Sequence, residues 1–224
     1  MLKAIFYKEW IKTRNLVALL AAIAVTLIAY SVLSTSYTFR TEGIVSTWFS
    51  VAEGDVLVFS ELIQWFFIVA ALALSAMQYN SEMVNKRLKL TLHLPQNENY
   101  TFFSLILYGI CVLALLYLTV GASLTGLLLA YYPIEFIQIG LIDLIHFMLL
   151  GIIAYFFIIW VVVEPIWKRR VVNFLISFFT IIPFASQTKP AAYCYSIPFL
   201  LIIVLFSISC AYFSVSRFKD GAQN

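Results

Sequence analysis

The chain has 224 residues, of which 63% are hydrophobic and only 11% are charged, and its mean hydropathy is +0.97. Soluble domains carry about a quarter charged residues, so this composition excludes a soluble protein and indicates an integral membrane protein. The net charge is only +3, and the basic residues do not form the dense patch that a nucleic-acid partner requires. We therefore expect an all-α integral membrane protein with a single membrane domain, residues 1–224.

Residues 1–14 mix four basic side chains with large apolar ones, a pattern typical of an amphipathic helix that lies in the membrane interface. Glu9 and Trp10 both fall on the apolar arc of this predicted interfacial helix. Glu9 would therefore either meet a protein partner or fray the helix. A basic flank that merely orients the first span accounts for the same residues, and both interpretations stay open.

Six apolar segments are predicted to cross the hydrocarbon core, which takes about 20 residues per helix. The first is longer than the apolar core of a signal peptide, so we expect a retained anchor. A polar loop at 34–55 follows it. The third span exceeds one perpendicular crossing and implies tilt or a broken end, whereas the fifth is short. The spans lie at about residues 15–33, 56–79, 101–132, 141–163, 171–185 and 195–215.

Six crossings would place both termini on the same side of the membrane, and the basic residues predict which side. With cytoplasmic termini, 12 of the 14 Lys and Arg residues face the cytoplasm, and only Arg40 and Lys189 face outward. Short cytoplasmic loops carry an excess of Lys and Arg. The pattern therefore predicts cytoplasmic termini in a multi-pass protein of the cytoplasmic (inner) membrane.

The sequence lacks the motifs of common enzymes. It contains no G-x-x-x-x-G-K-[ST] loop, no G-x-S-x-G and no H-E-x-x-H. Its two histidines, His93 and His146, are too few for most His-rich metal sites. Cys111, Cys194 and Cys210 lie in apolar runs without C-x-x-C spacing, so we interpret them as packing residues. We expect neither enzymatic activity nor a metal or cofactor in this chain.

The longest polar interruption between apolar runs is residues 80–99, which read N-S-E-M-V-N-K-R-L-K-L-T-L-H-L-P-Q-N-E-N. A helix from Ser81 to Leu94 would have a charged and an apolar face, and Pro95 would end it. The pattern predicts a cytoplasmic amphipathic helix between the second and third spans. A solvated basic loop that only fixes the topology is the alternative. The charged face would consist of Glu82, Asn85, Lys86, Lys89 and His93.

Two segments, F-Y-K-E-W-I-K-T-R near the start and E-x-x-x-x-R-L-K-L-T-L-H-L-P after the second span, resemble parts of the ABC-2 type permeases of ATP-binding cassette transporters. In that family the loop after the second span docks on the ATPase subunit as a coupling helix. The residues that match the family pattern one by one are Glu82, Arg87, Leu92 and Pro95. The resemblance implies an ATPase-coupling surface formed by Glu82, Lys86, Arg87, Lys89, Leu92 and Pro95.

The resemblance also implies a function for the whole chain. It would be a permease subunit that pairs with a second permease, identical or different, and with separate ABC ATPase subunits that bind ATP and magnesium. Export across the cytoplasmic membrane is the implied direction. A non-transporting structural or assembly subunit of a membrane or envelope complex is the alternative, and an ion-coupled carrier is a third.

Four polar residues lie within predicted spans near their outward ends: Glu61, Gln64, Asp143 and His146. Ionisable side chains inside a bilayer are costly, so they usually face a protein interior or a cavity. These four could line an outward vestibule on a substrate pathway. Near a span's end they could equally extend to the interface, and the sequence leaves both explanations open.

Overall fold

The computed structural model describes residues 2–53, 59–83, 98–186 and 190–219. These residues form seven α-helices and no strand, which confirms the predicted helical class for the described part of the chain. The helices are α1 (Leu2–Thr41), α2 (Ile44–Glu53), α3 (Glu61–Met83), α4 (Glu98–Tyr131), α5 (Ile134–Val163), α6 (Trp167–Ala185) and α7 (Pro190–Lys219).

Helix α1 is one continuous helix of 40 residues, in which the predicted interfacial segment and the first span follow each other without a break. It contains neither Gly nor Pro, so no residue favours an interruption. Its Ser and Thr side chains donate back to carbonyls one turn earlier, as Thr38 does to Ser34 at 3.0 Å. Such bonds satisfy the hydroxyls without interrupting the helix, and the predicted polar loop at 34–55 is helical at 34–41 and again in α2. Gly43, with φ +85°, turns the chain into α2.

Hydrogen bonds between helices show their relative directions. Helices α3, α5 and α7 run parallel, because the positions they pair keep a nearly constant offset in sequence. Helices α1 and α4 run the opposite way. Helices α3 and α5 are joined by the pairs Gln64–Asp143 and Ser75–Tyr155. Helices α5 and α7 are joined by the pairs His146–Ser196 and Glu164–Ser214. Helices α1 and α4 are joined by the pairs Thr13–Tyr108 and Ser36–Tyr131, and Lys12 joins α1 to Gln78 of α3.

These directions bring the start of α1, the end of α3 and the ends of α5 and α7 to one end of the bundle. We call it the basic end, because exposed cations at the starts of α1 and α6 lie there as well. Its basic residues among those described are Lys3, Lys8, Lys12, Arg14, Lys168, Arg169, Arg170, Arg217 and Lys219. At the opposite end the described residues carry one such cation, Arg40.

Helix α5 is the centre of the bundle and contacts α3, α4, α6 and α7. Two glycines allow the neighbouring helices to pack this closely. A methyl group at Gly109 would clash with the Tyr155 hydroxyl, and one at Gly151 would clash with the Tyr117 hydroxyl. Ala154 and Tyr155 are completely buried here. The tightest packing therefore lies where α3, α4 and α5 meet.

Five helices in the described part are long and apolar enough to cross a membrane: α1, α3, α4, α5 and α7. The chain is therefore a multi-pass helical membrane protein. Helix α6, which contains the predicted fifth span at 171–185, is not among the five, because it has 19 residues and its first turn carries three cations. It buries Asn173 and Ser177 while Phe174 and Phe179 stay exposed, the reverse of the pattern in a water-soluble protein.

Candidate functional site

A buried cluster of charges joins the first helix to the end of the third, at the basic end. The Lys12 ammonium lies 2.9 Å from Glu9 Oε1 and 3.0 Å from Glu82 Oε1, and it also donates to the Gln78 carbonyl at 2.9 Å. The Lys8 ammonium lies 2.9 Å from the same Glu82 oxygen. We call Lys8, Glu9, Lys12 and Glu82 the ion cluster. Two carboxylates and two ammonium groups make it electrically neutral.

The acidic members of the ion cluster are fully enclosed, whereas its cations reach toward solvent. Glu9 is 0% exposed and Glu82 2% exposed. The Lys12 side chain is 16% exposed and that of Lys8 is 48% exposed. Removing charges from water costs several kcal/mol per ion, and only close pairing offsets that cost. Glu9 and Glu82 therefore depend on Lys12, which is close to both.

Three carboxylate oxygens of the cluster have no hydrogen bond among the described residues. They are Glu9 Oε1, which has only its ion-pair contact with Lys12, Glu9 Oε2 and Glu82 Oε2. Buried polar atoms without partners are uncommon in folded proteins. Glu82 lies in the last turn of α3, one residue before Met83, and it is also the first residue of the charged segment, 82–95, that is predicted to couple to an ATPase. The cluster thus adjoins the entry to that segment.

A second layer of polar contacts connects the ion cluster to α4 and α5. Gln78 donates from Nε2 to the Leu105 carbonyl at 2.8 Å and accepts from the Tyr155 hydroxyl at 2.9 Å. Thr13 and Tyr108 share a hydrogen bond of 2.5 Å between their hydroxyls. Fully satisfied buried networks hold helices in one arrangement. A displacement of the end of α3 would therefore be felt by α1, α4 and α5.

The structure places only part of the predicted coupling surface. Glu82 is in the ion cluster, and Glu9, left ambiguous by the sequence, contacts a partner within the same chain. Trp10 is 47% exposed. The predicted coupling residues that lie outside the described residues are Lys86, Arg87, Lys89, Leu92 and Pro95.

Sequence reasoning missed the roles of Lys8, Lys12 and Gln78. Lys8 and Lys12 of α1 pair with Gln78 and Glu82 of α3 across more than 60 positions in the chain, so no local pattern reveals these pairs. One signal was available: Glu9 on an apolar arc, with a lysine three residues later, indicates a buried carboxylate that needs a cation.

The four residues predicted to line an outward vestibule do not form one group. Gln64 donates from Nε2 to Asp143, at 3.2 Å and 3.4 Å from its two carboxylate oxygens, and both side chains are buried. The side chains around this pair enclose a free volume of about 0 Å³. Glu61, although on the same helix as Gln64, is exposed. Gln64 and Asp143 therefore meet without an open cavity.

His146 lies one turn further along α5 than Asp143. Its Nδ1 is 2.8 Å from the Ser196 hydroxyl, and its Nε2 is 3.0 Å from the Phe184 carbonyl. The ring of Tyr193 is tilted against it, with 4.4 Å between centroids, and Tyr193 also lies within electrostatic reach of Asp143. His146 thus ties the end of α6 and the start of α7 to α5.

A further buried carboxylate, which the sequence did not suggest, lies where α5 ends. Glu164 is 0% exposed, accepts from the Ser214 hydroxyl at 2.8 Å and lies 3.4 Å from an Arg217 nitrogen. Arg170 donates to the Glu164 carbonyl at 2.9 Å. This pairing anchors the end of α7 and the start of α6 to α5 at the basic end.

The described residues contain no group of three or more His, Cys, Asp or Glu side chains arranged to hold a metal ion. Cys111 and Cys194 are exposed and Cys210 is buried, all as free thiols. No family model, no curated protein and no solved structure matches the chain.

Proposed function

We propose that this protein is the permease subunit of an ABC-2 type ATP-binding cassette transporter, with six spans and cytoplasmic termini. The resemblance of residues 82–95 to the coupling segment of that family motivates the proposal. In this proposal helix α6, which runs antiparallel to α5, serves as the fifth span. The basic end faces the cytoplasm, in accordance with the positive-inside rule.

The observation that carries the proposal is the ion cluster at the entry to the coupling segment. Glu82 is the first residue of that segment, is buried, and is held to α1 by two lysines. A force on residues 84–95 would act first on Glu82. Through Lys12 the force would pass to α1, and through Gln78 and Tyr155 to α5. In this way the domain has a mechanical connection between its cytoplasmic edge and its centre.

In this proposal partner subunits hydrolyse the ATP that drives transport. ATP and magnesium bind to a separate ABC ATPase, and a second permease completes the assembly. The proposal places the export route between the two permeases, because the described residues around Gln64 and Asp143 leave no room there for a water molecule.

The test is the coupling of ATP hydrolysis in proteoliposomes that contain this chain and an ABC ATPase that co-purifies with it. We expect Glu82→Gln and Arg87→Gln to abolish most of the stimulation of hydrolysis by the permease. Glu42→Gln, an equivalent change at an exposed position of the opposite end, should leave the stimulation unchanged. Arg87→Gln lies outside the ion cluster, so its effect separates coupling from folding. Failure of any ABC ATPase to co-purify with the chain would overturn the proposal.

The same closed region around Asp143 favours a second candidate, a non-transporting structural or assembly subunit of a membrane or envelope complex. Such a subunit would co-purify with a stable envelope partner. It would support no ATP-dependent flux, and Asp143→Asn would leave its activity intact.

A further inference from the structure

A groove on the membrane-facing side of the bundle is walled by α3, α5 and α6. It has a volume of about 220 Å³ and is lined by Trp65 and Leu72 from α3, Val161 from α5, and Phe174 and Ile182 from α6, among others. The span from Phe174 to Ile182 is about 12 Å long at 1.5 Å per helical residue. The groove therefore has the shape of a slot parallel to the helices.

The walls of this groove offer almost nothing to a polar ligand. The Ser177 hydroxyl, which lies in the wall, already donates to the Asn173 carbonyl at 2.7 Å. Trp65 and Phe178 are nearly half exposed and present ring surface to the slot. An apolar chain fits such a surface, whereas a hydrated or charged group would lose its hydrogen bonds.

The first turn of α6 supplies the opposite chemistry directly beside the groove. Lys168 and Arg169 are exposed, and the turn contains no acidic residue. No side chain caps this helix start, so its first amide groups lack partners within the helix. Free amides and the helix dipole attract anions, and phosphate groups in particular. The nearby carboxylate of Glu164 is buried and paired with Arg217, so it does not neutralise these cations.

The groove begins at Phe174, one helical turn after the basic turn of α6. Arg170, Phe174 and Phe178 follow each other at four-residue spacing and so share one face of the helix. Arg170 is about 6 Å along the axis from Phe174. Its side chain is held by the Glu164 carbonyl and lies 5.8 Å from the Trp167 ring, and that ring is 71% exposed. Tryptophan at this position is typical of a membrane–water interface.

We propose that this surface is a binding site for one anionic phospholipid of the surrounding membrane. Its acyl chain occupies the groove between α3, α5 and α6, and its phosphate lies at Lys168, Arg169 and the amides that begin α6. The charge complementarity and the interfacial position of the basic turn select a phospholipid over any other occupant. The site depends on the membrane location of the chain and is independent of the transport role.

Fluorescence of the full-length chain in lipid nanodiscs tests the site. Brominated phosphatidylglycerol and brominated phosphatidylcholine, both labelled in the acyl chain, are compared as quenchers. The contribution of Trp65 is obtained by difference from Trp65→Phe. We expect phosphatidylglycerol to quench Trp65 at a lower mole fraction than phosphatidylcholine does.

Charge variants then separate a site from a general surface effect. Lys168→Gln with Arg169→Gln should reduce the preference for phosphatidylglycerol roughly fivefold for each cation removed. Lys3→Gln with Arg14→Gln removes two exposed cations from α1 at the same end of the bundle and should leave the preference unchanged. All four positions are exposed, so folding is preserved.

Three results would overturn the proposal. One is an equal loss of preference in both double variants, which would indicate surface potential alone. Another is the same quenching of Trp65 by both lipids. The third is no quenching by either, which would show that protein, such as a second copy of the chain, covers the groove.

Discussion

The ion cluster at the basic end and the Gln64–Asp143 pair in the opposite half of the bundle are both buried polar groups, but they are constructed differently. The ion cluster balances two carboxylates with two ammonium groups across α1 and α3. Asp143 accepts from the neutral amide of Gln64, and the Tyr193 phenol lies within electrostatic reach of it. The first arrangement stabilises charge and links helices, whereas the second tolerates one carboxyl group within a packed interior. The links between helices at the basic end are what the proposed transmission of force requires.

The strongest test of this comparison is removal of the central cation. Lys12→Met would leave Glu9 without an ion-pair partner and Glu82 with Lys8 alone. Breaking a buried ion pair in this manner costs about 3–5 kcal/mol of stability. We expect a loss in that range, measured as the free energy of unfolding in detergent micelles.

Lys8→Met is the matched control, because the same substitution is made in the same cluster at a side chain that is 48% exposed. Exposed ion pairs contribute roughly 0–1 kcal/mol. Equal losses in the two variants would contradict the assignment of Lys12 as the centre of the cluster.

A methyl group added to α4 near the ion cluster should cause an intermediate loss of stability. Gly109→Ala would place a methyl group against the Tyr155 hydroxyl, which donates to Gln78. Overpacking of this kind costs about 1–3 kcal/mol. Gly126→Ala, at a position of the same helix with open space around it, should not destabilise the protein, and circular dichroism during thermal unfolding distinguishes the two.

The smallest change in unfolding free energy is expected in the half of the bundle opposite the basic end. Asp143→Asn keeps the shape of the side chain and can still hydrogen-bond to Gln64. Since no buried counter-charge loses its partner, we expect a change in unfolding free energy within about 1 kcal/mol. Glu61→Gln, at an exposed position, should change it by less than about 0.5 kcal/mol. If Asp143→Asn folds normally but abolishes ATP-driven transport, Asp143 belongs to the substrate pathway after all.

The sequence predicted the helices well and their contacts poorly. Long apolar runs are sufficient to locate α3, α4, α5 and α7, since a bilayer requires about 20 apolar residues per crossing. The end of α1 was placed too early, because Ser and Thr were interpreted as a loop although their hydroxyls bond within the helix.

The candidate site was harder to predict because its members are distant in sequence. Asp143 and His146 share a helix at a spacing of three residues, and the sequence placed them in one vestibule. In the folded chain Asp143 meets α3, whereas His146 meets α6 and α7. Periodicity shows which residues share a face of a helix, but not which neighbour packs against each part of that face.

The most direct test of the central claim is photo-crosslinking from the predicted coupling segment in living cells. A benzophenone amino acid replaces Arg87, and another replaces Arg40 at the opposite end of the bundle as the control. We predict an adduct between position 87 and an ABC ATPase, and none between position 40 and that ATPase. Adducts from position 87 that contain other proteins or lipid, but no ATPase, would contradict the proposed role of the coupling segment and of the ion cluster behind it.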